Sequence, residues 1–132
     1  MSNYVCYVIQ TPNGRRSYVG VTTNLARRLR QHCGKLTGGA KYTRGKTWEY
    51  AALVKGFDTK NQVLSFEWWV KHQSRKCRGR PIERRFTAIR KLLQNERWSQ
   101  LQLGFVDKQR CSNEKDWYVL GELDPNIWVQ NT

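Results

Sequence analysis

Along the first hundred residues the apolar positions keep changing period, and each change marks an element. Tyr4-Val5-Cys6-Tyr7-Val8-Ile9 is an unbroken aromatic and β-branched run; after the turn chemistry of Pro12-Asn13-Gly14, Tyr18-Val19-Gly20-Val21-Thr22 resumes it. The two runs predict a β-hairpin. Thr23 or Asn24 can cap the next element, where Leu25, Leu29 and Cys33 recur at i, i+4 and i+8. That period predicts a helix to about Cys33, with Arg27, Arg28 and His32 flanking its apolar stripe and Arg28 one turn from His32. Gly34, Gly38 and Gly39 then open a loop, Lys35 to Lys46, that holds no acid and is expected not to fold on itself.

Trp48 to Val54 predicts a third strand ended by Gly56, and Asp58 or Asn61 starts a helix through about His72. Pro81 suits a first helical turn, where its missing N–H is no loss, and Ile82, Phe86, Ile89 and Leu93 give the following helix an apolar face. Farther on, Trp98, Leu101 and Leu103 suggest a packed turn or short helix, and Trp117-Tyr118-Val119-Leu120 a late strand.

Charge narrows the partners. The 132 residues carry a formal net charge of +14, unevenly: residues 1–100 hold 21 Lys and Arg against 5 Asp and Glu, or +16, while residues 101–132 balance to −2. Such a field draws polyanions by counterion release, so nucleic acid is the first partner to consider. An anionic membrane would also attract it, but no stretch approaches the roughly 20 apolar residues of a spanning helix and no signal-peptide pattern opens the chain. The expectation is an intracellular protein with no membrane role. Cys6, Cys33, Cys77 and Cys111 are widely separated with no zinc spacing, so structural zinc is not expected and free thiols are, with Cys6 in the core.

Candidate chemistry lies in the basic part. Glu67 stands in Phe66-Glu67-Trp68-Trp69-Val70, where a carboxylate needs a partner. Two readings stay open: an ion pair with an arginine, or a hard oxygen ligand for Mg²⁺. Arg28 is either a solvated helix arginine or a fork for phosphate oxygens. Tyr4 and Tyr18 are either strand aromatics or, with a phenol pKa lowered by surrounding cations, proton acceptors. His32 is a surface histidine or a partner of a tyrosine or phosphate.

In combination these residues resemble the GIY-YIG nuclease superfamily, in which two tyrosine motifs on a hairpin precede a helix arginine and a later helix glutamate. Tyr18-Val19-Gly20 stands as the second motif, Arg28 follows Tyr18 by ten residues, and Glu67 falls on the second helix. The first motif departs from the pattern, with Tyr4 in the tyrosine position after Ser2-Asn3. The resemblance implies an α+β fold: a small three-stranded antiparallel sheet flanked by helices, with extra C-terminal helices. It implies a nuclease core over 1–80 and a helical extension over 81–132, packed as one compact domain.

The ordered motifs Gln31-His32, Gly38-Gly39-Ala40, Trp48-Glu49, Gly56-Phe57, Phe66-Glu67-Trp68, His72 and Arg97-Trp98-Ser99 are similar to one branch of that superfamily. In it, structure-specific endonucleases form the nuclease subunit of a eukaryotic branched-DNA resolvase. The resemblance implies hydrolysis of phosphodiesters at flaps and junctions, in repair or recombination, leaving a 5′-phosphate and a 3′-hydroxyl. It also implies that Glu67 holds Mg²⁺, or Mn²⁺ in its place, that Tyr4 accepts the proton of water, that Tyr18 and His32 order the pocket, and that Arg28 stabilises the charge of the transition state. Arg27, Lys35, Lys41, Arg44 and Lys46, with Arg84, Arg85 and Lys91 on the last helix, are expected to grip the DNA backbone. That branch adds a cysteine- and histidine-rich RING-like domain, whereas here Cys111 alone follows residue 105. A docking site for its scaffold subunit is therefore not expected, and the place of action is the nucleus or a viral replication site. The rival readings are a branched-DNA-binding module with impaired catalysis and a sequence-specific restriction or mobile-element nuclease.

Overall fold

The computed structural model describes residues 3–35, 37–105 and 128–130. The hairpin forms as β1 (Val5–Gln10) and β2 (Ser17–Thr22), paired antiparallel. Its turn is closed by Gly14 N–H donating to the Thr11 carbonyl at 2.8 Å, and Gly14 takes the φ of +72° that such a turn requires. Helix α1 (Leu25–His32) starts at Asn24, whose side chain accepts from Arg27 N–H at 3.1 Å. Next come β3 (Glu49–Lys55), α2 (Lys60–Ser74), capped by Thr59 rather than Asp58 or Asn61, and α3 (Pro81–Leu93).

The expected mixed fold is present, with a sheet wider than three strands. Residues after α3 add β4 (Gln102–Phe105) and β5 (Trp128–Gln130), giving the antiparallel order β2-β1-β3-β4-β5. Of the apolar residues expected in a late turn or helix, Trp98 ends a short 3-10 turn, Glu96–Trp98, but Leu103 belongs to β4. Two strands of four and three residues carry too few alternations to announce themselves. The strand expected at Trp117 to Leu120 lies outside the described residues.

Strand alternation sorts β1 onto two faces. Cys6 and Val8 join Val19, Val54, Val63, Phe66, Val70, Ile89 and Leu92 under α2 and α3. Phe66 is the hub of that face, its ring 5.4 Å from Phe57 and 5.2 Å from Trp98, in favourable tilted and edge-on contacts. Tyr7 and Ile9 face the other way, onto Leu25 and Leu29 of α1 with Trp48, Tyr50 and Leu53. Tyr50 and Leu53 share this face although three residues apart, because a bulge opposite Val8 and Ile9 takes up the extra residue. Cys6, Cys33 and Cys77 are free thiols.

Candidate active site

The site grows from one omission. Gly20 is the register partner of Tyr7, and a Cβ on it would fall on the Tyr7 ring and hydroxyl. Glycine is needed there for space, since the phenol crosses β2 over bare backbone. It thereby reaches Arg28 and His32 on α1: Arg28 Nε donates to Tyr7 Oη at 3.1 Å, and Tyr7 Oη is 2.6 Å from His32 Nε2.

Geometry fixes the proton positions. His32 has no exposed surface, and its Nδ1 is 2.9 Å from Thr43 Oγ1. The one hydroxyl proton of Thr43 is donated to the Ala40 carbonyl at 2.9 Å, so Oγ1 must accept from the ring. His32 therefore carries its proton on Nδ1 and turns the Nε2 lone pair toward the phenol, which donates to it. Each group in the series Arg28, Tyr7, His32, Thr43, Ala40 donates to the next. Burial, and after it the charge of Arg28, holds His32 down at about 4, so the imidazole is neutral near pH 7. Burial also pushes the Tyr7 phenol up, outweighing the lowering by Arg28. At this tyrosine desolvation reverses the fall expected of a phenol among cations.

Arg28 is held on three sides. Its Nη1 donates to Gln31 Oε1 at 3.0 Å and to the Gly38 carbonyl at 2.9 Å, besides the bond to Tyr7. The basic loop is thus not the open segment its composition suggested. A 3-10 turn, Lys41–Thr43, buries Thr43, and Trp48 Nε1 donates to the Thr43 carbonyl at 2.9 Å. Neutral hydrogen bonds from backbone and threonine fold it, which counts of charge do not reveal. Gly39 packs so tightly that a Cβ would strike the Gln31 carbonyl.

Tyr18 carries the cluster to the edge of the sheet. Its ring centre lies 5.2 Å from that of His32 and 6.0 Å from that of Tyr42, nearly parallel to the latter, with Lys71 Nζ 5.5 Å away. Lys71 Nζ is 3.3 Å from Glu67 Oε1, one helical turn back along α2. Of the two readings left open for Glu67, an ion pair is present, with a lysine in place of an arginine. The Glu67 side chain keeps 22% of its surface exposed. Among the described residues no three His, Cys, Asp or Glu side chains gather into a metal-binding group.

Of the five residues expected to do chemistry, His32 and Tyr18 meet directly, Arg28 joins them through Tyr7, and Glu67 through Lys71. Tyr4 lies on the opposite face from Tyr7. It precedes β1 and packs with the apolar core under α2 and α3, because an odd step of three residues from Tyr7 reverses the face. Tyr7 and Thr43 are the members that sequence reasoning missed. Strand parity was the available signal for Tyr7, whose opposite number on β2 is a glycine.

Arg27, Lys35, Lys41, Arg44, Arg84 and Lys91 are exposed. Lys46 is half-buried and donates to the Tyr42 carbonyl at 2.9 Å. Arg85 is also half-buried, its Nε donating to Ser17 Oγ at 3.1 Å. It borders a cavity of about 420 Å³ between the β2 edge, Tyr42, α2 and α3; a second, of about 390 Å³, lies between Gln31, Gly39 and Arg44. No helix of the described residues is long and apolar enough to cross a membrane.

A hairpin whose first strand sends a tyrosine over a glycine of the second, to an arginine and a histidine one turn apart, defines a class of catalytic domain. Residues 3–81 match the family model of the GIY-YIG catalytic domain, and the chain belongs to that family. It is similar to the structure-specific endonuclease subunit slx1 of Schizosaccharomyces pombe, 31% identical over 96% of this chain and 51% of that protein. The structure-specific endonuclease subunit SLX1 of Candida glabrata is 36% identical over 80% of this chain and 40% of its own length. An uncharacterized protein of Acanthamoeba polyphaga mimivirus is 42% identical over 58% of this chain and 47% of its own length. The chain thus spans about half the length, or less, of these relatives.

Proposed function

We propose that this chain is a metal-dependent, structure-specific endonuclease that hydrolyses phosphodiester bonds at flaps or junctions in DNA. The observation that carries the reading is the directed series from Arg28 through Tyr7 and His32 to Thr43, set at the edge of a strongly basic domain. Two endonuclease subunits among its relatives support it, and so does the charge of +16 over residues 1–100.

Arg28, held rigid by Tyr7, Gln31 and the Gly38 carbonyl, would place a fixed positive charge against the phosphoryl oxygens as charge builds in the transition state. The attacking water would lodge beside the half-buried Tyr18, and its proton would pass into the phenol–imidazole set. An anionic phosphate offsets the field of Arg28, so His32 becomes a better acceptor on binding. The buried Tyr7 holds both Arg28 and His32 in register and takes over the place that the motif pattern assigned to Tyr4.

The donor set near Glu67 fits a hard, largely hydrated ion. One carboxylate with water and substrate oxygens is a common Mg²⁺ arrangement, and Mn²⁺ has the same needs. Glu67 would hold it after releasing Lys71, and the ion would supply charge neutralisation at the scissile phosphate. The expected products are a 5′-phosphate and a 3′-hydroxyl, and the place of action is wherever branched DNA arises. The presence of Tyr7, Tyr18, Arg28, His32 and Glu67 together disfavours a purely binding module.

The deciding experiment is cleavage of end-labelled flap, junction and linear duplex DNA by the full chain in Mg²⁺, Mn²⁺ or EDTA. Metal-dependent cutting confined to the branched substrates, lost in Glu67→Gln with DNA affinity retained, is expected. Cutting in EDTA, or near-normal cutting by Glu67→Gln, overturns the metal assignment, and cutting linear duplex equally well overturns structure specificity.

A further inference from the structure

The cavity at the β2 edge adjoins the Arg28 series through Tyr18 and is bordered by four cationic side chains. Lys71 and Arg75 from α2 and its C-terminal end, and Arg84 and Arg85 from α3, border it, together with Tyr18 and Tyr42. Among the described residues that line it there is no Asp or Glu. Lys71, one helical turn before Arg75, is paired with Glu67 at 3.3 Å. Arg85 is half-buried with a neutral partner, the Ser17 hydroxyl, and burial lowers its pKa, Tyr42 opposing the shift and Arg75 adding to it. Of the four cations around the hollow Lys71 is paired with Glu67, and Arg75, Arg84 and Arg85 supply the positive field that favours an anion there.

The aromatic wall says which anion. Tyr42 is 46% exposed at the mouth of the cavity, its ring nearly parallel to that of Tyr18. Cations that follow a backbone next to an accessible aromatic ring are the equipment for an unpaired nucleotide, since a base stacks on a ring only after leaving the duplex. We infer that this cavity binds the sugar–phosphate of an unpaired DNA strand, with its base against Tyr42. The inference rests on the nuclease reading for its biological setting and names the part of a branched substrate that this edge receives. A duplex arm has no free base to offer and gains only the charge contacts. Discrimination between branched and linear DNA therefore begins at β2.

Binding without cleavage tests this, so that failure of the nuclease reading is not confused with failure of the site. Anisotropy titrations in EDTA would compare a labelled single-stranded thymidylate 12-mer, the same length lacking bases, and a blunt duplex, with inorganic phosphate as competitor. Tyr42→Ala is expected to weaken the thymidylate strand on the order of fivefold or more and to leave the abasic strand and the duplex within about twofold. Arg75→Ala with Arg84→Ala, two exposed positions, is expected to weaken both single strands and the duplex, since all three offer phosphates. Equal losses of the thymidylate strand and the duplex in Tyr42→Ala would make the cavity a general backbone clamp and overturn the inference. No loss in either variant would overturn it too, and so would inorganic phosphate competing as well as the strand at equal phosphate concentration, which would mark a site for small anions.

Discussion

The two faces of the sheet are built from the same strands to different ends. Under α2 and α3, Cys6, Val8 and Val19 meet Phe66, Val70 and Ile89, and burial of apolar surface is nearly all there is. Under α1, the neighbours of those residues in sequence bury a phenol, an imidazole and a threonine hydroxyl, each hydrogen-bonded, with Tyr50 Oη donating to the Leu25 carbonyl at 2.5 Å. The first face tolerates any filling of the right volume. The second tolerates only groups whose donors and acceptors match, because an orphaned buried polar atom costs more than its hydrogen bond contributed. Stability and chemistry are thus carried by alternate residues of β1, one step apart.

That division can be broken by substitution. Phe66→Ala should produce the largest effect, a loss of about 3–5 kcal/mol in unfolding free energy measured by urea titration, with DNA affinity per folded molecule unchanged. A variant that stays as stable as the parent would show that the first face is not the main stabiliser. Arg28→Ala should lower the cleavage rate on the order of 10²-fold or more with little change in melting temperature. If binding weakens while the rate per bound substrate holds, Arg28 is a backbone clamp.

Thr43→Val removes the acceptor that fixes His32 and is nearly isosteric, so it should slow cleavage on the order of tenfold while Thr43→Ser largely restores it, the hydroxyl being one net hydrogen bond of about 1 kcal/mol. A loss in Thr43→Ser with none in Thr43→Val would point to packing of the methyl group instead. His32 also predicts a pH signature. Its folded pKa, about 4, lies below the ordinary 6.5, so the unfolded chain binds more protons between those values. Stability from this residue is present above about pH 6.5 and is lost as pH falls toward 4; His32→Gln should flatten that slope in equilibrium unfolding, and an unchanged slope would mean that other groups set it.

The smallest and most diffuse effect belongs outside both faces. Lys41→Ala, Arg44→Ala and Lys46→Ala together should weaken all DNA substrates alike and reduce the slope of log K against log salt by about 0.9 for each phosphate no longer neutralised. An unaltered slope would remove the loop from the interface.

Most elements up to Leu93 could be read in advance, because each is governed by a local period and by caps or turns within a few residues. Phe66 and Val70 at helical spacing, or Pro81 opening α3, need no tertiary knowledge. β4 and β5 are short and owe their existence to pairing with β3 and with each other, so the chain alone did not announce them. At the site, Arg28 and His32 were legible from their one-turn spacing and Tyr18 from its motif. Tyr7 was hidden by Tyr4, a tyrosine of the same run three residues away; only the crossing over Gly20 distinguishes them. The role of Thr43 depends on a loop folding back over α1, and that is a long-range fact.

Among the described residues β2 has a strand partner on one side alone, β1. Its other side is therefore a row of backbone donors and acceptors able to template a strand from another copy, the ordinary route to aggregation of sheet proteins. Lys71 and Arg85 stand beside that row, and positive charge at an open edge repels an incoming positive copy. The cations that would greet a nucleic acid thus also act as gatekeepers in solution. Neutralising them for purification or engineering trades colloidal stability against affinity, and high salt moves both in the same direction.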